Sequence, residues 1–425
     1  MLFRPVNGEN HMFGKTSKFL LAAILLVASG GAQAQDVASG VIEFSPTEPY
    51  PIREVYYPGT EALAEDEMRV IACGTGMPQP RLKQAAACFL VELGNGDKFI
   101  FDMGYGSFER LTALGIPMDF LGNVFLGHLH LDHAGDFPQY YFTKGINSGR
   151  SKTRLFGPNG VKPEWGTKTW FKKIREAWAW EEASRGGAVD QRGLEIEITE
   201  FDWTAENAVI YDENGVQIRT IPAVHADQSV SFILEWNGLK FAYSSDTSPN
   251  RWWVEHTQNA DISIHEVVLP PEMWVTKYYL DAVGAVSAGT QAHTPPQAFG
   301  KVMAMTKPRM AVGYHFQNDA DTAPVVLEGI REIYDGPLSL ATDFMTWNVT
   351  ADEIRVRMAV PNHERFPEPP QREFVPNRDA KPYEWTETTF DGYQPEIAAV
   401  INKLVDAFNE EFGTDVKPTT TAPRE

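Results

Sequence analysis

At 425 residues, 43% of them hydrophobic and 22% charged, the chain can build a large core, in one big domain or two, and has the composition of an ordinary globular protein. Its formal net charge is −20, a surface that repels polyanions; because phosphate contacts supply most nucleic-acid affinity, this argues against RNA or DNA as a substrate. Two cysteines, Cys73 and Cys88, allow one disulfide or two buried thiols and exclude a cysteine-based zinc module.

Residues 1–34 read as a secretory signal. Lys15 and Lys18 precede an apolar run at 19–27, and small residues lead to Ala32-Gln33-Ala34, a cleavage pattern before Gln35. The run is short for a bilayer span. The expectation is export to the periplasm or beyond, cleavage after Ala34, and no membrane contact afterwards. Residues 35–67 form an arm with one short strand at 41–44. Strands are expected at 68–72, 89–93 and 98–101, the last two joined by the hairpin signal Gly94-Asn95-Gly96-Asp97. A short helix at 108–114 leads to a buried strand at 124–126. That strand runs into Gly127-His128-Leu129-His130-Leu131-Asp132-His133.

A helix at 136–144 and a strand at 154–156 precede an insertion at about 158–187 that holds Trp165, Trp170, Trp178 and Trp180. A helix is expected there at 170–183, its aromatics serving either as ordinary core or as the wall of a pocket. Strands follow at 194–201, 208–211, 216–224, 229–236, 240–244 and 261–265, with Asn237-Gly238 as a two-residue turn. Residues 270–292 read as a long connection. Thr294-Pro295-Pro296-Gln297 opens a helix with Thr294 as N-cap. A strand at 310–314, a helix at 324–334 and short strands to about 356 complete a domain at 68–360. The extension 361–425 is Pro-rich and charged at first. It then has an amphipathic helix at 395–412, closed by Gly413, and a disordered tail. The order of elements suits an α/β architecture of two mixed sheets packed face to face with helices outside, the αββα sandwich.

Three of the ten histidines fall within six positions, at His128, His130 and His133, with Asp132 among them. Imidazole with carboxylate suits zinc, and iron or manganese are compatible with the same donors. His225, Asp246 and His315 each follow an expected strand. Together these make five His and two Asp, enough for a two-metal site with an Asp bridge.

The run His128-Leu129-His130-Leu131-Asp132-His133 resembles the H-x-H-x-D-H signature of the metallo-β-lactamase superfamily. Ala223-Val224-His225, Ser244-Ser245-Asp246-Thr247, His265-Glu266 and Tyr314-His315-Phe316 stand in the order of its ribonuclease Z and arylsulfatase branch, over about 70–320. The resemblance implies the four-layer αββα fold and two Zn²⁺ ions. One would sit on His128, His130 and His225, the other on Asp132, His133 and His315, with Asp246 bridging. It also implies catalytic roles for Asp132, which would orient the nucleophile, and for His293, which would protonate the leaving group. One of His265 and Glu266 would orient another active-site group. Pro295-Pro296 stands where the branch has serine-type residues, and no Gly/Pro-rich basic arm for tRNA is evident. The resulting expectation is an exported hydrolase of small sulfate or phosphate esters with an apolar or aromatic leaving group. Its substrate would be a small molecule and not a nucleic acid, and a homodimer is compatible with all of this. The alternatives are a carbonyl-ester hydrolase (lactonase, thioesterase or β-lactamase), a di-iron redox protein, and a non-catalytic binding protein on the same scaffold.

Overall fold

Apolar residues alternate between two buried faces along the central strands, and this builds two sheets that share one core. The computed structural model describes residues 55–146, 149–185, 189–362 and, in part, 364–417. The signal at 1–34, the strand expected at 41–44 and the end of the tail lie outside the described residues. Strands β1 (Val55–Tyr56), β2 (Met68–Gly74), β3 (Cys88–Leu93), β4 (Lys98–Phe101), β5 (Asn123–Phe125), β6 (Thr153–Pro158) and β7 (Ile196–Phe201) enter the first sheet. Strands β8 (Ala208–Glu213), β9 (Val216–Pro222), β10 (Val230–Trp236), β11 (Leu239–Tyr243), β12 (Ile262–Glu266), β13 (Met310–Tyr314) and β14 (Leu338–Leu340) form the second. Strands β15 (Met345–Val349) and β16 (Ile354–Ala359) return to the first. Among the described residues the orders are β1-β16-β15-β2-β3-β4-β5-β6-β7 and β14-β13-β12-β11-β10-β9-β8.

Each sheet has an antiparallel half and a parallel half. β2, β3 and β4 form a meander, whereas β4 to β7 run parallel. Likewise β9, β10 and β11 are antiparallel, and β11 to β14 parallel. Parallel neighbours need crossover segments, and these supply the outer helices. Met68, Val70, Phe89, Val91, Phe101 and Phe125 meet Phe232, Phe241, Tyr243 and Tyr314 between the sheets. Phe125 stacks on Phe156 with centroids 4.4 Å apart, and truncating it to Ala would cost about 3–5 kcal/mol. The alternate residues Ile71, Leu90 and Ile100 pack outward on Phe108, Phe137 and Phe171 of helices Ser107–Ala113, Phe137–Lys144 and Thr167–Ala177. On the far side, Ile233 and Ala242 pack on Trp253, Phe299 and Ile330 of helices Arg251–His256, Pro296–Thr306 and Ala323–Arg331. Four layers result.

Three local expectations change. The helix at 170–183 is two, Thr167–Ala177 and Ala179–Arg185, broken at Trp178, which leaves αR geometry at φ −104° and ψ 20°. The connection at 270–292 is largely helical, with Pro271–Tyr278, then Ala282–Ser287 capped by Asp281 accepting from Gly284 N–H (2.7 Å). Thr294 does not cap. Its hydroxyl donates to the carbonyl of Thr247 (2.6 Å), and Pro295 takes the N-cap position. Both cysteines are free and buried. Helix Pro395–Phe412 forms, with Ile397, Val400, Leu404 and Phe408 exposed. No helix among the described residues is long and apolar enough to cross a membrane.

Candidate metal centre

The chemistry-bearing loops leave the carboxyl ends of neighbouring strands. β5 is followed by His128 to His133, β9 by His225, β11 by Asp246, β12 ends at Glu266, and β13 is followed by His315. Two polar clusters converge there. His128, His130 and His225 form one, with Nε2 of His128 3.0 Å and Nε2 of His225 3.3 Å from Nδ1 of His130. Asp132, His133, Asp246 and His315 form the other. Asp246 stands between them. Its Oδ1 lies 3.1 Å from His133 Nε2 and 3.2 Å from His315 Nε2, while its Oδ2 lies 3.9 Å from His128 Nε2 and 3.8 Å from His225 Nε2. Asp132 Oδ2 completes the second group, 3.2 Å from His315 Nε2 and 3.5 Å from His133 Nε2.

This donor set fits a metal. His133 Nε2 and Asp246 Oδ1 are buried and close, yet neither makes a hydrogen bond among the described residues. That is the arrangement of donors aimed at a shared third atom. Burial alone would raise the Asp246 carboxyl, but the imidazoles of His133 and His315 hold it well below the usual carboxylate range. Burial likewise opposes charge on His133, yet Asp246, Asp132 and Asp102 lift it well above the usual imidazole range. A cation seated among these carboxylates would compete with that proton. His128 and His225 are depressed, chiefly by burial, His225 to about 4, so both stay neutral and ready to donate a lone pair.

The imidazoles are held from behind. His133 Nδ1 donates to Asp102 Oδ2 (2.7 Å), which also accepts from Tyr243 OH (2.7 Å) and Ser245 Oγ (2.9 Å). Asp102 Oδ1 accepts from Gly127 N–H (2.7 Å). His225 Nδ1 donates to the Ala292 carbonyl (2.8 Å). Such contacts fix the tautomer and leave the other nitrogen for a metal. Asp102, Ser245 and His315 have φ of 57°, 49° and 75°, so three non-glycine residues occupy left-handed backbone around one centre. Gly127 is needed for close packing: a Cβ there would lie 2.3 Å from Ser245 Oγ.

Glu266 and His265, adjacent in sequence, diverge in space. Glu266 Oε2 accepts from His293 Nδ1 (2.9 Å) and lies 3.6 Å from His315 Nδ1, whereas its Oε1 accepts from Thr247 N–H. His265 faces the outer core, edge-on to Trp253 and Phe299, with Nδ1 on the Glu266 carbonyl. Burial pushes it down to about 4. Alternation along β12 puts the two on opposite faces, so the fold does not bring His265 to the cluster. Asp102 is marked in the sequence only as an acid immediately after the apolar strand Lys98–Phe101. Of the tryptophans, Trp165, Trp170 and Trp178 line a cavity of about 410 Å³ beside Leu129, which sits between His128 and His130. Trp274 instead is core, its indole N–H on the Leu269 carbonyl (2.8 Å).

Residues 68–278 match the family model described as Anti-Pycsar protein Apyc1. Ribonuclease Z of Mycobacterium avium (strain 104) is 27% identical over 206 residues, 47% of this chain and 70% of that protein. Anti-Pycsar protein Apyc1 of Bacillus phage 010DV004 is 23% identical over 212 residues, 47% of this chain and 76% of that one. The crystal structure of YhfI from Bacillus subtilis, titled a metallo-beta-lactamase fold protein, superposes with a TM-score of 0.51 at 15% identity, covering 67% of this chain and all of that one. The chain has the metallo-β-lactamase fold and is ribonuclease Z-like.

The expectation that nucleic acid is excluded is corrected by these matches, because relatives named as ribonucleases align with about half of the chain. Net charge sums over the whole surface, whereas a phosphate meets only the local field, to which metal ions contribute. The metallo-β-lactamase-fold chain also has a local reversal of sign: residues 162–176 carry five basic side chains against two acidic ones.

Proposed function

We propose that this protein is a zinc-dependent phosphodiesterase: each donor cluster would hold one ion, with Asp246 offering one oxygen to each cluster. The single observation that carries the reading is the split of Asp246, one oxygen toward each cluster. When bound, the pair of ions supplies Lewis acidity for activating water at neutral pH and for neutralising phosphoryl oxygens. The residues do the rest. Asp132, on the His315 side, orients the attacking group. Glu266 accepts from His293 Nδ1, which leaves the proton on Nε2 to be given to the departing alkoxide. Burial opposes a charge on His293, and Glu266, then Asp246 and Asp132, raise it to about 9; with ions on Asp246 and Asp132, the Glu266 carboxylate is the partner that would hold a proton on the ring. The signal pattern at 1–34 supports export, which a mature N-terminus at Gln35, read by mass spectrometry of protein from cells, would test.

The decisive assay offers zinc-loaded protein a bis-aryl phosphate, a precursor tRNA, an aryl sulfate and an acyl lactone. Turnover of a phosphodiester, lost in Asp246→Asn, is expected. Turnover of the sulfate or lactone alone would overturn the proposal, as would no turnover of any.

A further inference from the structure

His315 is aimed differently from the imidazoles around it. His133 Nδ1 rests on Asp102, and His225 Nδ1 on the Ala292 carbonyl. Nδ1 of His315 is buried and makes no hydrogen bond among the described residues, and Glu266 Oε2 stands off from it at 3.6 Å. The ring is therefore placed by its main chain. That main chain is unfavourable, because φ is 75°, in left-handed space where a Cβ is crowded. Such a conformation persists only where the surroundings over-determine it.

The surroundings here are one loop, residues 75–87, between β2 and β3. The His315 N–H donates to the Thr75 carbonyl (3.0 Å). Gln84 Nε2 donates to the Phe316 carbonyl (2.9 Å), and Gln84 Oε1 accepts from Asn318 N–H (3.4 Å). Lys83 Nζ donates to the Asn318 carbonyl (2.7 Å), and Arg81 Nη2 to both oxygens of Asp319 (2.7 and 2.8 Å).

The loop is closed in turn by one side chain from outside it. Asp343 lies between β14 and β15, and its side chain is only 6% exposed. Its Oδ1 accepts from the N–H (3.1 Å) and the hydroxyl (2.9 Å) of Thr75. Its Oδ2 accepts from Ala85 N–H (2.7 Å) and from Arg110 Nε (2.9 Å) on helix Ser107–Ala113. Both ends of the loop are thereby pinned to one carboxylate. None of these partners is a donor of the metal centre. All of them donate, so an amide in this place would turn its NH₂ group against two donors whichever way it faced.

We propose that Asp343 is a positioning residue for the metal centre. By closing the 75–87 loop it fixes the main chain of His315, and so aims that imidazole at the cluster with Asp132, His133 and Asp246. The orientation of His315 stands on these hydrogen bonds alone, whereas its consequence for zinc rests on the proposed pair of ions.

The test compares Asp343→Asn with Asp261→Asn in the full chain. Asp261 also accepts from a main-chain N–H, that of Lys240 (2.7 Å), and from an arginine, Arg309 (2.6 Å). It precedes β12, at the strand end away from the centre, and so controls for a loss of stability. In chelator, hydrogen exchange at the His315 amide, read by NMR against the core amides of β12, should be about tenfold faster in Asp343→Asn and unchanged in Asp261→Asn. Competition with a chromophoric chelator should show one of two zinc-binding steps weakened about tenfold or more in Asp343→Asn, the other within about twofold, and neither altered in Asp261→Asn. Thr75→Val removes one donor to Asp343 and keeps the main chain; it should give the same pattern at smaller amplitude, which decides the matter if Asp343→Asn does not fold. Exchange at His315 that merely follows the core amides, equal weakening of both zinc steps, or the same pattern in Asp261→Asn would each overturn the proposal. Faster exchange at His315 in a protein that binds no zinc would retain the positioning role and refute the zinc reading. Two zinc steps untouched by Asp343→Asn would do the reverse.

Discussion

Asp102→Asn isolates the support behind His133. Asp102 is fully buried and accepts four hydrogen bonds: from His133, Tyr243 and Ser245 on Oδ2, and from Gly127 on Oδ1. Asparagine tolerates the left-handed backbone at φ 57°, so the substitution tests chemistry and not backbone strain. It has one acceptor oxygen. If that oxygen keeps the three partners of Oδ2, its NH₂ group confronts the N–H of Gly127, leaving a buried donor unpaired at about 1–3 kcal/mol. The remaining bonds lose their ionic character and roughly half their strength. His133 is then less firmly oriented, and zinc affinity should fall about 10–100-fold. Competition with a chromophoric chelator measures that affinity, and urea denaturation measures stability. Zinc affinity within twofold of the unsubstituted protein would refute the positioning argument, whatever happened to stability.

Gly127→Ala forces a Cβ to within 2.3 Å of Ser245 Oγ, itself tied to Asp102; overpacking of about 1–3 kcal/mol and substoichiometric zinc are expected, checked by melting temperature and metal analysis. Glu266→Gln should lower kcat at least tenfold by loosening His293, whereas His265→Gln, in the outer core, should change melting temperature and leave kcat within threefold; steady-state kinetics of both variants separates the two. Asp136, raised by burial from 3.8 to about 6, binds its proton more tightly folded than unfolded. Its contribution is therefore full below about pH 4 and lost as pH rises through 6. Linkage puts this near 3 kcal/mol, and partial solvent screening brings it to roughly 1–2. Asp136→Asn keeps an acceptor for Phe108 N–H, so urea unfolding should show the variant gaining that much on the unsubstituted protein between pH 4 and pH 7.

What could be read without coordinates depended on local spacing. Short apolar runs bounded by turn signals announced β2 to β4 and β9 to β11, and the cluster from His128 to His133 announced a metal site, because six residues cannot separate far in space. Helix Pro395–Phe412 followed from its own periodicity and its glycine stop. The helices Pro271–Tyr278 and Ala282–Ser287 escaped because each is too short to show an apolar period, and Gly, Ser and Val weaken the second further. Charge misled for a different reason: a sum over 425 residues carries no information about the field at one rim.

Tertiary structure alone decided the matters that depend on which way a side chain faces. Only the register of β12 sends Glu266 to the cluster and His265 to the outer core. Only the approach of β4 to β11 across the core makes Asp102 the acceptor for Tyr243 and Ser245, 141 and 143 positions away, while His133 reaches it from the loop after β5, the neighbour of β4 in the same sheet. The hydrogen bond from Gln228 to the Trp165 carbonyl ties the tryptophan-rich insertion to the loop after β9. The bonds from Tyr243 and Ser245 to Asp102, and from Gln228 to Trp165, join segments that chain connectivity leaves independent until the two sheets close on each other.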